Sequence, residues 1–204
     1  MLTSSLSIKA QNPAETALIG SALNLFTIHN ENSVTVTQLI KAAGVSRSVF
    51  YKHFANKDDV YAAILLTDEL AVSPLLKKIR ASGSAGELLE QYLKYRIQFV
   101  KKYRVLMRLE KHLQATDCTL ERFVQWQLLR RQHVDEFAAI IELDLAHLKP
   151  LERDNARFHY GLLWSLASGM AHITESDLFS ELIRDRRGFT RFLLDSVSSL
   201  GGHR

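Results

Sequence analysis

The chain has 204 residues, of which 47% are hydrophobic and 24% charged, and a formal net charge of +4. That apolar content supports a real core and excludes a wholly disordered chain. Nine Gly and three Pro are too few for the turns of a β-sandwich or barrel, and the single cysteine excludes an internal disulfide framework or a multi-cysteine zinc site. The N-terminus has no basic stretch followed by an apolar run, and no apolar segment approaches the roughly 20 residues of a membrane span. A cytoplasmic protein with no membrane attachment is expected.

Residues 1–11 are polar, Ser-rich and aperiodic and read as a disordered arm. Asn12-Pro13-Ala14-Glu15 starts a helix, with Asn12 as cap, Pro13 at the first helical position and Glu15 placed to close a capping box. Leu18, Ala22, Leu25 and Phe26 carry that helix to about His29. After the turn Asn30-Glu31-Asn32-Ser33, Thr35 caps a second short helix that points Val36, Leu39, Ile40 and Ala43 inward. Gly44 ends it, because the residue just past a helix often needs a left-handed backbone. Ser46 caps a third helix with Phe50 and Phe54 on its buried side. Asn56 caps a fourth, which runs toward Leu70 with Asp58 and Asp59 complementing its dipole.

Pro74 and the run Ser82-Gly83-Ser84-Ala85-Gly86 mark the clearest compositional break, so a domain boundary is placed near them. Beyond it the period stays helical. A fifth helix carries Leu89, Tyr92, Leu93, Phe99, Val100 and Tyr103 on one face, and Leu106, Leu109 and Leu113 mark a sixth. A long segment runs from Leu120 to Lys149, where Pro150 ends or kinks it. Two more helices span about 152–174 and 177–200, the last one disturbed near Gly188. The expected fold is all-α: residues 12–70 form a three-helix helix-turn-helix domain with its connecting fourth helix, and residues 71–204 form a helical ligand-binding and dimerisation domain.

Residues 33–57 contain Lys41, Arg47, Lys52 and Lys57 and no acid. Two short helices joined at Gly44 form a helix-turn-helix, in which the first helix props the second into the DNA major groove. Arg47, Ser48, Tyr51, Lys52 and His53 then point outward. Arg can read guanine through two hydrogen bonds, Ser can donate or accept, and Lys can meet a base or a phosphate.

The segments Ala22–Phe26 (ALNLF), Thr35–Val45 (TVTQLIKAAGV) and above all Ser46–Asp58 (SRSVFYKHFANKD) resemble the N-terminal domain of the tetracycline-repressor (TetR) family of bacterial transcriptional regulators. The resemblance covers residues 17–66. It implies that Thr35 and Thr37 approach phosphates, that Arg47, Ser48, Val49, Tyr51, Lys52 and His53 contact bases or backbone, and that Lys57 meets a phosphate. Two departures stand out. The family usually has Gly in the turn after the first helix, where this chain has Asn30-Glu31-Asn32, residues able to enter the left-handed region. It also favours Ala at the position of Ile40, which alters the packing of the two motif helices.

Phe158–Thr174 contains no Asp, Glu, Lys or Arg in 17 residues, so its helix is buried on several sides. Gly161, Ser165, Ser168 and Gly169 form a stripe of small residues on it. The stripe faces either the monomer core or a dimer partner, and the dimer is preferred, with Phe179, Leu182, Ile183, Phe189, Leu193, Val197 and Leu200 contributed by the final helix. The resemblance implies the same four-helix interface. Arg96 lies in an apolar stripe and needs a partner: an internal Asp or Glu, or the anionic group of an apolar effector lined by Tyr92, Phe99, Trp126 and Trp164. His112, His159 and His172 lack tight ligand spacing, and Cys118 has no activating cation beside it. No nucleophile–base pair, phosphate loop or metal spacing is present, so neither an enzyme nor a cofactor is expected. The reading is a homodimeric, ligand-responsive repressor of a palindromic operator in double-stranded DNA. The alternative is an effector-independent or architectural DNA-binding protein on the same scaffold.

Overall fold

The computed structural model describes residues 12–144, 146, 155–174 and 176–201. The expected arm 1–11, the expected end of the long segment at Lys149 and Pro150 lie outside them. The described residues form helices, with no strand among them: α1 (Pro13–Ile28), α2 (Val36–Ala43), α3 (Arg47–His53), α4 (Lys57–Leu70), α5 (Ser73–Ser82), α6 (Ala85–Ile97), α7 (Val100–Ala115), α8 (Glu121–Asp144), α9 (Ala156–Ile173), α10 (Asp177–Ile183) and α11 (Arg186–Leu200).

The caps follow local chemistry. Asn12 accepts from the Ala14 N–H, Ser46 from Val49 and Asn56 from Asp59. Thr35 and Gln38 make a reciprocal box, with the Thr35 N–H donating to Gln38 Oε1 at 2.7 Å. Glu15 closes no such box; its carboxylate is taken by Arg122 from α8 at 3.0 Å, a charged partner that outbids a neutral amide. Gly44 has φ +65, and a side chain there would meet nothing within 4 Å. Its glycine is therefore required by backbone conformation, not by space. The turn after α1 works differently from expectation: Asn30 is extended at φ −64 and caps a 3-10 turn over Glu31–Ser33, so no left-handed residue is needed.

Three element boundaries differ from the periodic pattern. A separate helix, α5, occupies 73–82 with Pro74 in its first turn. The face expected for one helix through Tyr103 is divided, because the chain breaks at Gln98-Phe99 between α6 and α7. No Gly or Pro marks that break. The last segment splits at Arg184-Asp185 rather than within a helix, and Asp185 caps α11 by accepting from the Gly188 N–H at 2.8 Å.

Two apolar clusters form the interior. In the first, Leu18, Phe26, Leu39, Phe50, Phe54 and Tyr61 of α1–α4 pack with Val105, Leu109 and Leu113 of α7 and Phe123 and Trp126 of α8. In the second, α5 and α6 pack with the rest of α8, α9 and Val197 of α11. Ion pairs tie α7 and α8 to the N-terminal helices. Arg108 donates to Glu31 at 2.7 Å and to the Phe26 carbonyl at 2.9 Å, Arg122 grips Asp59 at 2.8 Å, and His112 meets Asp58 at 3.1 Å.

Gly86 is the close-approach point of the second cluster: a Cβ there would lie 2.6 Å from the Ser198 carbonyl oxygen of α11. Backbone cannot yield as a flexible side chain does. Gly86→Ala is expected to push α11 from α6 and destabilise the fold by about 1–3 kcal/mol. A urea titration followed by circular dichroism measures this, and an unchanged midpoint would show that α11 shifts freely.

Candidate functional site

Phe50 and Phe54 are fully buried with ring centroids 5.7 Å apart, which sets the roll of α3 against the first core. The same roll turns Arg47, Ser48, Tyr51 and Lys52 into solvent. The Arg47 guanidinium lies 5.5 Å from the Tyr51 ring centroid, and Ser48 Oγ is 2.8 Å from Ser46 Oγ. Thr37 and Lys41 on α2 are exposed as well, and Val49 is half-buried. An α-helix with one apolar face anchored and a basic, polar face free is the form that enters a major groove.

Three expected DNA contacts have other partners. Thr35 Oγ1 bonds Gln38 within its own cap. His53 is half-buried and turns back to α1, with Nδ1 3.7 Å from Glu15, because it sits at the inner end of α3. The Lys57 ammonium donates to the carbonyls of Glu31 (3.1 Å) and Val34 (3.2 Å) and lies over the Tyr61 ring. It pins the turn before α2 onto α4, and one of its three donors is left for a phosphate.

Arg96 is buried, and its acids are internal. Nη1 donates to Asp68 at 2.9 Å, while Nη2 reaches Glu69 at 3.3 Å and the Tyr92 hydroxyl at 3.0 Å. Lys102 adds a 2.6 Å pair to Asp68, and His133 Nδ1 donates to Glu69 at 2.8 Å. Burial pushes the Glu69 carboxyl up, but the His133 hydrogen bond and the Arg96 and Arg130 charges prevail and hold it below the usual carboxylate value. Burial raises the Tyr92 hydroxyl well above the ordinary phenol value. Of the two readings of Arg96, the internal acid is therefore the one present. The five residues expected around an effector do not converge either: Tyr92 is in the core, and Phe99 is exposed at the α6–α7 break.

Trp126 and Trp164 do meet. They line a cleft of about 540 Å³ between α7, α8 and α9, together with Glu110, Gln114, Arg130 and Tyr160. Arg130 was not singled out by its sequence context, although it follows Trp126 by one helical turn, the spacing at which side chains share a face. Its guanidinium sits 5.3 Å from the Trp126 ring centroid and 5.8 Å from that of Trp164.

On α9 the stripe Phe158, Leu162, Ser165 and Gly169 is exposed, and α10 and α11 expose Leu178, Leu182 and Phe192. Gly161 is half-buried with open space around it, and Ser168 turns toward Tyr103. Phe189 and Leu193, expected at a dimer contact, are half-buried and pack in part on the chain's own second core, where α11 lies along α6. Among the described residues no helix is long and apolar enough to cross a membrane, and no three His, Cys, Asp or Glu side chains are placed to hold a metal ion.

Residues 18–64 match the model of the bacterial regulatory proteins of the tetR family. Through that segment the chain resembles regulators of the tetR family. The whole architecture agrees with solved tetR-like structures despite low identity. A tetR-family regulatory protein from Rhodococcus RHA1 is 18% identical, with a TM-score of 0.65 over 94% of this chain and 98% of that one. The fatty acid degradation regulator FadR from Bacillus halodurans is 16% identical, with a TM-score of 0.67 over 96% and 98%. FadR from Bacillus subtilis, solved with stearoyl-CoA, is 15% identical, with a TM-score of 0.62 over 92% and 99%. No curated protein matches the chain in sequence. The matched segment contains the helix-turn-helix of α2 and α3.

Proposed function

We propose that the protein is a cytoplasmic, homodimeric transcriptional repressor that leaves a palindromic operator when a small molecule enters its C-terminal domain, and that it is not an enzyme. The observation that carries this reading is the exposed face Arg47, Ser48, Tyr51 and Lys52 of α3 over buried Phe50 and Phe54. Two such helices in a symmetric dimer reach major grooves about 34 Å apart along one side of the duplex. The effector acts only through a difference in its affinity for the DNA-bound and free arrangements. The cleft beside Trp126 and Trp164 is of a size suited to such a ligand, and the stearoyl-CoA complex of the Bacillus subtilis FadR supports a ligand-responsive reading. Footprinting on DNA upstream of the protein's own and neighbouring genes, with and without candidate effectors, tests the proposal. Tight operator binding that no ligand alters would favour a constitutive or architectural protein on this scaffold.

The exposed α9 stripe supports dimerisation. A Cβ at Gly161 meets nothing within 4 Å and Ser165 is exposed, so Gly161→Leu and Ser165→Leu are expected to obstruct a partner more than the monomer fold. Sedimentation is expected to show a wild-type dimer at micromolar concentration and monomers for both variants. A monomeric wild type would remove this face from the proposal.

A further inference from the structure

Arg130 is a cavity-wall cation that makes no hydrogen bond among the described residues. Guanidinium offers five N–H donors in a planar fork. Among the described residues those of Arg130 find only two acids, Glu110 at 3.7 Å and Glu69 at 3.9 Å, both too far to accept a hydrogen bond. Glu69 is already held closer by Arg96 and His133. Another cleft arginine, Arg157, is joined to exposed Asp135 at the rim. Arg130 is thus oriented by the Trp126 and Trp164 rings without being bonded, at the wall of a cleft large enough for a small molecule. Flat apolar walls beside an unfilled planar cation complement one ligand chemistry: an aromatic body carrying a carboxylate.

Resting on the ligand-responsive reading above, we infer that Arg130 is the anion anchor of the effector site and that the effector is an aromatic carboxylate stacked beside Trp126 and Trp164. Bidentate binding gives the fork two short charge-assisted bonds in place of two long ion pairs. It also withdraws Arg130 from Glu69, which lies at the end of α4, the helix whose other end carries Lys57 and Asp59 beneath the helix-turn-helix. The ligand and the connecting helix compete for one guanidinium.

The chain's two tryptophans are both in this cleft, so intrinsic fluorescence reports its occupancy. The probes are naphthalene-2-carboxylate, its neutral analogue 2-naphthalenemethanol, and dodecanoate for an aliphatic body. Naphthalene-2-carboxylate is expected to quench saturably and to bind at least tenfold tighter than the alcohol. Arg130→Gln is expected to abolish that preference and Arg130→Lys to retain part of it, with circular dichroism confirming that each variant is folded. Equal binding of acid and alcohol by the wild type, or a preference that survives in folded Arg130→Gln, would overturn the anchor. Dodecanoate binding tighter than the naphthoate would overturn the aromatic body. Operator binding is measured in parallel. Release by neutral or cationic compounds alone leaves the regulator reading standing and removes the Arg130 site, whereas DNA binding indifferent to a bound carboxylate removes the ligand-responsive reading itself.

Discussion

Arg47→Ala and Lys52→Ala are each expected to weaken operator binding while leaving the fold intact. Both side chains project from α3 into solvent, and neither contributes to the core beneath it. Loss of a two-bond contact to a base costs about 1–3 kcal/mol, and about 1.4 kcal/mol is a factor of ten in affinity. Loss of a phosphate contact instead lowers affinity on every sequence and reduces the salt slope by about one. Gel-shift titrations at several salt concentrations therefore separate reading from anchoring. Unchanged affinity in both variants, with unchanged circular dichroism, would remove α3 as the recognition helix.

The second large effect concerns the buried charges at the end of α4. Arg96→Met is expected to destabilise the protein by about 3–5 kcal/mol, because it strands Asp68 and Glu69 in the interior without their principal cation. Lys102 still reaches Asp68 and His133 still reaches Glu69, so a folded but weakened protein is the expected product. Urea denaturation measures the loss, and a change below about 1 kcal/mol would show the cluster to be more hydrated than its burial implies. The same cluster sets a direction with pH. The carboxyl of Glu69 binds a proton less readily folded than unfolded. Its stabilisation is therefore complete above the ordinary carboxylate pKa and lost as pH falls through the depressed folded value. Glu69→Gln should flatten that acidic limb.

The contrast between the two sites explains what was legible in the sequence. The helix-turn-helix is built from contacts a few residues apart: a cap at Thr35, a left-handed Gly44, a cap at Ser46, and Phe50 and Phe54 one turn apart. Each leaves a local mark, and the third-helix face followed from them. Arg96 shows where such marks end. Its partners lie 27 and 28 residues earlier on another helix, and nothing in the spacing pairs them. The α6–α7 break at Gln98-Phe99 has no Gly or Pro to announce it, so an uninterrupted apolar rhythm concealed a corner. His53 and Lys57 have suitable residue types for DNA, yet tertiary neighbours claim them first. The face of α11 shows the same limit: periodicity marked Phe189 and Leu193 as apolar, but not that α6 would partly cover them.

The first core is built from both halves of the chain. Phe123 and Trp126, stacked with ring centroids 5.3 Å apart, belong to α8, yet they complete the packing around Phe26, Phe50 and Tyr61. Farther along the same helix, Phe137 and Ile141 belong to the other core. A DNA-reading module cut at the end of α4 would expose the apolar side that α7 and α8 now cover. It would also leave Glu31 and Asp59 without Arg108 and Arg122. Transplanting the reader onto a foreign sensor therefore means carrying α7 and the first turns of α8 along with it, or recreating their inner surface on the new host. The exchangeable unit in this protein is a packed layer, not a stretch of sequence.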